Sequence, residues 1–213
     1  AAPKLVAVEL PSEMAICTPE RMSISVSVTT EALDSSEPAT APKPRGEAMV
    51  AAADPRAVEA GLTMLREGGT ATDAAIATMM VLGLVEPQSA GLGGGGFLLA
   101  YDELHETIDA YDGRERAPAG ARPDMFLGAD GRPLPFQQAA HSGLSIGTPA
   151  LVAMLKLAHE RHGRLPWARL FEPAITLADD GFIVSPRLSA LIAAAGADMR
   201  SDPAARAYFF TEQ

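Results

Sequence analysis

The chain has 213 residues, 47% of them hydrophobic, with 27 Asp and Glu against 17 Lys and Arg and a formal charge of −10. That is enough apolar material for one packed domain with an extension, and a negative field without a Lys/Arg run disfavours nucleic acid and anionic membranes as partners. The single cysteine, Cys17, closes no internal disulfide, and the longest apolar stretch, 74–85, has 12 residues, short of the ~20 needed to span a bilayer.

In chain order, residues 22–28 (MSISVSV) alternate with the period of a half-buried strand. Residues 34–46 hold three prolines among Ser, Thr and Ala, a composition too poor in apolar bulk to pack. Residues 1–46 are therefore expected to form an irregular arm and linker, and the compact domain is expected to run over 47–213. Asp54-Pro55 offers a helix N-cap followed by proline at the first helical position. In that helix Val58, Leu62 and Leu65 share one face and are expected to point inward, and Gly68-Gly69 closes it. Thr70 opens a second helix with Asp73 three residues on, a relative of the capping box. Its apolar residues lie nearly all round, so it is expected to be buried, and Pro87 stops it.

After the glycine run at 91–96, strands are expected at 97–101 and 107–111, joined by a polar turn. Residues 112–147 are loop-rich. Thr148-Pro149 is expected to open a helix through His162, closed by Gly163. Pro166 begins another, interrupted or restarted at Pro173 and ended by Gly181. Ser185-Pro186 caps a last one with Leu188, Leu191 and Ile192 inward. The result is an α+β or α/β layering seen in part, with too few strands for a self-contained large sheet.

Four motifs carry possible chemistry. Gly91-Leu92-Gly93-Gly94-Gly95-Gly96 matches the dinucleotide-binding spacing, but that site needs a strand before it and a helix after it. Here the order is reversed, so the run reads as a helix-to-strand hinge. Gly143-Leu144-Ser145-Ile146-Gly147 spells a nucleophile elbow, yet only His159 and His162 follow, on the next helix and with no Asp between, so no Ser–Asp–His order can be assembled. His159 and His162 stand at i and i+3 with no third ligand near in sequence, and a helix C-terminus accommodates such cations without a metal. Trp167, beside Leu170 and Phe171, reads as core. The remaining segment, Asp112-Gly113-Arg114-Glu115-Arg116-Ala117-Pro118, follows the second strand. An arginine there is presented on a rigid scaffold. Its planar fork suits a carboxylate, and Asp112 and Glu115 can hold the fork in place.

With these residues assembled, the chain resembles the gamma-glutamyltranspeptidase family from about Met49 to its end. The likeness is carried by AAADPRAVEAGLTMLREGGTATDAAIA, EPQSAGLGGGGFLLAYD, DGRERAP, GLSIGTPALVAMLKLAHERHG and LFEPAITLADDGFIVSPRL. The resemblance implies an N-terminal-nucleophile hydrolase fold, a four-layer αββα sandwich present here only in part. It implies a self-cleaving precursor, whose small C-terminal subunit begins with a threonine that attacks the gamma-glutamyl amide of glutathione or a related donor. It also implies that Arg114 grips the donor alpha-carboxylate, that no cofactor is needed, and that the protein works in the periplasm or outside the cell, with the cytoplasm left open.

Thr70, Gln88 and Ala150 stand where the family usually shows Asn, His and Gly. The nucleophile's Thr-Thr-His motif is missing: Thr29-Thr30 precedes a glutamate and lies upstream of the domain. The chain by itself is therefore expected to be inactive without a C-terminal small subunit. Two alternatives stay open: a same-fold relative acting on cephalosporin side chains or polyglutamate, and a non-catalytic binding or structural protein.

Overall fold

A computed structural model describes residues 30–32 and 48–210; Cys17, the strand expected at 22–28 and the proline-rich segment 34–46 lie outside the described residues. Two helices open the domain. In α1 (Pro55–Arg66) the Asp54 Oδ1 accepts from Arg56 N at 2.8 Å, which caps the helix as its sequence prescribes. It ends at Gly68, where a φ of +86° needs a residue without a side chain. α2 (Ala71–Val85) begins with a reciprocal capping box. Thr70 Oγ1 accepts from Asp73 N at 3.2 Å, and Asp73 Oδ2 accepts from Thr70 N at 2.8 Å.

The buried face of α1 differs from the expected one. Ala57, Ala60, Gly61 and Met64 are buried, while Val58, Leu62 and Leu65 are only half-buried. The cause is the partner: a Cβ on Gly61 would stand 2.4 Å from Thr78 Oγ1 of α2. The two helices meet on their small residues, which puts the bulkier side chains on the flank. As expected, α2 is buried along most of its length.

Two antiparallel strands follow, β2 at Gly96–Asp102 and β3 at Thr107–Gly113, paired from Gly96↔Gly113 to Asp102↔Thr107. A short strand from the region expected to be irregular, Thr30–Ala32 (here β1), pairs with β3 opposite 107–109 and gives the order β1-β3-β2. Leu98, Ala100 and Tyr111 turn one face of the sheet into the helical core. The other face carries Phe97, Leu99, Tyr101, Ile108 and Ala110, none of them buried, with Leu99 41% exposed. The layering is thus helices on one side of a small sheet.

A short helix, α3 (Phe136–Ala140), lies in the loop-rich stretch. α4 (Leu151–His162) packs on the sheet, but Thr148 does not cap it. Thr148 is instead bridged to Arg116, its N–H donating to Arg116 O at 2.8 Å, and the first N–H groups of the helix, of Ala150 and Leu151, both donate to Gly94 O. A carbonyl of the glycine run therefore does the capping. The stretch opened by Pro166 is a 3-10 turn over Trp167–Phe171 that restarts at Glu172 as α5 (Glu172–Asp180). α6 (Pro186–Ala194) is capped by Ser185 Oγ, which accepts from Leu188 N at 3.1 Å. Only Leu188 of its three expected inward residues is buried; Ile192 is half-buried and Leu191 exposed, because the helix touches the core at its first turn alone. α7 (Gly196–Ser201) and α8 (Pro203–Phe209) close the described chain.

Candidate functional site

The site begins where β3 ends. Asp112 Oδ1 accepts from the backbone N–H of Arg114 at 2.9 Å, so this acid fixes the main chain of Arg114 rather than its fork. Glu115 does face the fork: its Oε2 lies 3.5 Å from Arg114 Nε. The two predicted supports thus divide the task, one holding the backbone and the other the side chain.

Glu115 is seated by absent side chains. A Cβ on Gly94, Gly95 or Gly147 would come within 3.2, 2.8 and 2.9 Å of Glu115 side-chain atoms. At Gly95 it would also lie 2.5 Å from Gly113 O, a backbone atom that cannot step aside. The glycine run is therefore more than a hinge. It brings the chain close enough to the end of β3 for a carboxylate to fit between them. Nothing of a nucleotide site forms there, since a strand and not a helix follows it.

Arg114 and Glu115 open into a concavity of about 580 Å³, with Met125 and Phe126 as an apolar wall and Ser145 and Ile146 on the rim. The Arg114 side chain is 62% exposed and the Glu115 side chain 31%. A guanidinium tethered at Nε and open at its other nitrogens can receive a carboxylate bidentately. Ser145 is on the rim but not poised for attack. Its Oγ donates to Ala140 O at 2.8 Å and to Ser142 O at 2.9 Å, within a 3-10 turn.

The two histidines diverge. His159 Nε2 donates to Leu165 O at 2.8 Å and its ring lies tilted against Trp167, whereas His162 Nε2 lies 3.0 Å from Asp109 Oδ2 and 2.8 Å from Tyr111 Oη. Among the described residues no group of three or more His, Cys, Asp or Glu is arranged to hold a metal, and no helix is long and apolar enough to cross a membrane.

Sequence reasoning missed three features. Glu86, at the buried end of α2, receives Arg187, Gln88 and Ser185 Oγ; a lone acid closing an apolar helix just before proline is the signal that could have found it. The Met125–Phe126 wall had no signal beyond two apolar residues in a loop. The Tyr111–His162 contact joins residues 51 apart, which no local pattern reports.

Residues 57–213 match the family model described as Gamma-glutamyltranspeptidase. Glutathione hydrolase 3 of Arabidopsis thaliana is 43% identical over 162 residues, which is 76% of this chain and 24% of that protein. The glutathione hydrolase proenzyme of Bacillus subtilis (strain 168) is 40% identical over 146 residues, 68% of this chain and 25% of the relative. The crystal structure of Helicobacter pylori gamma-glutamyltranspeptidase superposes with a TM-score of 0.73 at 32% identity, over 80% of this chain and 49% of that one. The chain thus spans about a quarter of the length of the curated relatives it matches.

Proposed function

Because the chain belongs to the gamma-glutamyltranspeptidase family, we propose that it forms the N-terminal part of the large subunit of an enzyme that transfers or hydrolyses the gamma-glutamyl group of glutathione or a related amide. The fold is that of the N-terminal-nucleophile hydrolases, present in part as a small sheet with helices on one face. In this reading the chain anchors the donor and a C-terminal small subunit supplies the threonine nucleophile. The uncovered face of Phe97, Leu99 and Ile108 is then the surface against which the remaining sheet packs. Export to the periplasm or the exterior goes with the same reading.

The observation that carries it is the pairing of an exposed Arg114 with a Glu115 seated among three glycines at the mouth of a concavity. The guanidinium takes the donor alpha-carboxylate, and the methylenes of the glutamyl chain pass Met125 and Phe126. The gamma-amide is thereby aimed away from Arg114, toward the partner's nucleophile. Attack by a threonine hydroxyl would expel the amine and leave a gamma-glutamyl ester, which water or an amino acid then releases. This chain's part in those steps is to orient the donor, which converts a bimolecular encounter into a positioned one.

In the full-length enzyme, Arg114→Ala is expected to raise the donor KM and lower kcat/KM by the value of a charged hydrogen-bonded pair, on the order of 1.5–3 kcal/mol. Arg114→Lys should restore little, since an ammonium lacks the fork. Unchanged donor kinetics would overturn the assignment. Mass spectrometry of the purified protein tests the partner: a companion chain beginning with threonine is expected. A panel of glutathione, cephalosporin and polyglutamate donors separates the same-fold alternatives, and a protein inactive on all of them would favour a binding role.

A further inference from the structure

We propose that Tyr111, His162 and Asp109 are positioning residues for Arg114: their hydrogen-bonded cluster pins β3 to the C-terminal end of α4 and so aims the guanidinium that follows the strand into the concavity. The inference rests on the reading of Arg114 as the donor anchor.

Two of the contacts between α4 and β3 bear on the end of the strand. Near the end of the strand a Cβ on Gly113 would be 2.6 Å from Met154 Cβ. Nearer its start, His162 Nε2 meets Tyr111 Oη at 2.8 Å and Asp109 Oδ2 at 3.0 Å. Met154 and His162 are about 12 Å apart along a helix at ~1.5 Å per residue, and Gly113 and Asp109 about 13 Å apart along a strand at ~3.3 Å per residue. Helix and strand therefore run side by side over a matched length, with these two contacts toward its ends.

The two contacts differ in kind. The Gly113–Met154 contact is close van der Waals packing without a hydrogen bond. The contact at His162 is directional. Tyr111 Oη and His162 Nε2 lie at hydrogen-bond distance, and the Asp109 carboxylate sits 3.0 Å from the same nitrogen. The Tyr111 and His162 rings stand edge to face at 5.9 Å and 89°, and the Arg161 guanidinium lies 6.0 Å from the Tyr111 ring centre. Burial pushes the Tyr111 phenol above its ordinary pKa, the Asp109 charge pushes it further, and Arg161 opposes both. The phenol accordingly stays neutral. Groups facing the cluster are Asp109 and Tyr111 from β3 and Arg161 from α4.

Apolar residues at 111 and 162 would fill the same volume; the polar cluster adds a fixed direction. Only Asp112 and Gly113 separate Tyr111 from Arg114, and Arg114 N is tied back to Asp112 Oδ1. A roll of β3 is therefore passed directly to the guanidinium.

The test uses the full-length protein with Tyr111→Phe, His162→Leu and His162→Gln, each alone and with Arg114→Ala. Tyr111→Phe and His162→Leu are expected to raise the donor KM about three- to tenfold, the value of one or two hydrogen bonds, while kcat stays within about twofold. His162→Gln, whose amide N–H can reach Asp109, should recover most of the loss. With Arg114 already replaced, His162→Leu should change KM no further. A fall in kcat without a rise in KM, or full additivity with Arg114→Ala, overturns the proposal. Hydrogen exchange gives a readout independent of activity: amides 112–116 should exchange faster in His162→Leu while α1 and α2 are unaffected. Unchanged exchange sinks the positioning role, whereas faster exchange with an Arg114→Ala enzyme of normal KM sinks the donor-anchor reading and the proposal's link to it.

Discussion

Asp73 and Glu115 are both carboxylates beside glycine-containing turns, and their surroundings have opposite consequences. Asp73 is fully buried and accepts from Thr70 N, Thr70 Oγ1, Arg164 N and Leu165 N, the last two from a segment more than 90 residues away. These four donors converge on Oδ2, and Arg164 N also reaches Oδ1 at 3.3 Å. Glu115 is wedged against backbone by three glycines, and its charged partner, Arg114, remains largely in solvent. A carboxylate saturated by backbone N–H groups ties the fold together. One held in place yet paired to an open guanidinium leaves binding capacity unspent, and that is what a ligand site requires.

The comparison breaks most easily at Asp73. Asp73→Ala strands several buried donors at once, so a loss on the order of 3 kcal/mol or more in urea unfolding is expected. Asp73→Asn should cost less, since its amide oxygen still accepts. The donor KM of the molecules that remain folded should not change. A shift in KM at Asp73 as large as that at Arg114 would erase the distinction between the two carboxylates.

What was legible in the sequence divides along the same line. Asp54-Pro55, Thr70 with Asp73, and Ser185-Pro186 cap their helices as expected, because a cap is settled within four residues. The reversed order around the glycine run ruled out a nucleotide for an equally local reason. The face of α1 was misjudged because Gly61 against Thr78 is a tertiary approach, and a glycine scores as nothing in an apolar pattern. The inward side of α6 failed likewise, since its helical period is real but its contact with the core ends after one turn. Arg114 could be singled out from its motif, whereas the cradle of Glu115 joins residues 94–95, 113–115 and 147 and exists only once the chain is folded.

Gly95→Ala lies between the two regimes and sharpens the contrast. The added methyl would meet Gly113 O and Glu115 N, both backbone, so an overpacking cost of about 1–3 kcal/mol is expected. Unlike Asp73→Ala, it should also raise the donor KM, because relieving the clash moves Glu115 and with it the Arg114 fork. Stability and donor kinetics measured on one preparation check this. A loss of stability with normal KM would mean that the cradle does not transmit to the arginine.

The smallest expected effect is at Asp54, and it isolates charge from capping. The Arg56 side chain, donating from Nε at 2.8 Å and Nη2 at 2.6 Å, holds the Asp54 carboxyl below its ordinary pKa, with burial opposing and the Arg56 backbone N–H adding to the pull. A depressed folded-state pKa means that the unfolded chain binds the proton first. The stabilisation is therefore fully present above the ordinary carboxylate value of about 3.9 and is lost as the pH falls through the lower folded value. Asn caps a helix about as well as Asp, so Asp54→Asn keeps the cap and removes the charge. The variant should lose less than about 1 kcal/mol at neutral pH and converge with the parent in strong acid. Urea unfolding across that range checks it, and a gap that stays constant with pH would assign the loss to the cap. Since Asp54 belongs with Asp73 on the structural side of the comparison, its removal should leave the donor KM untouched at every pH where the protein is folded.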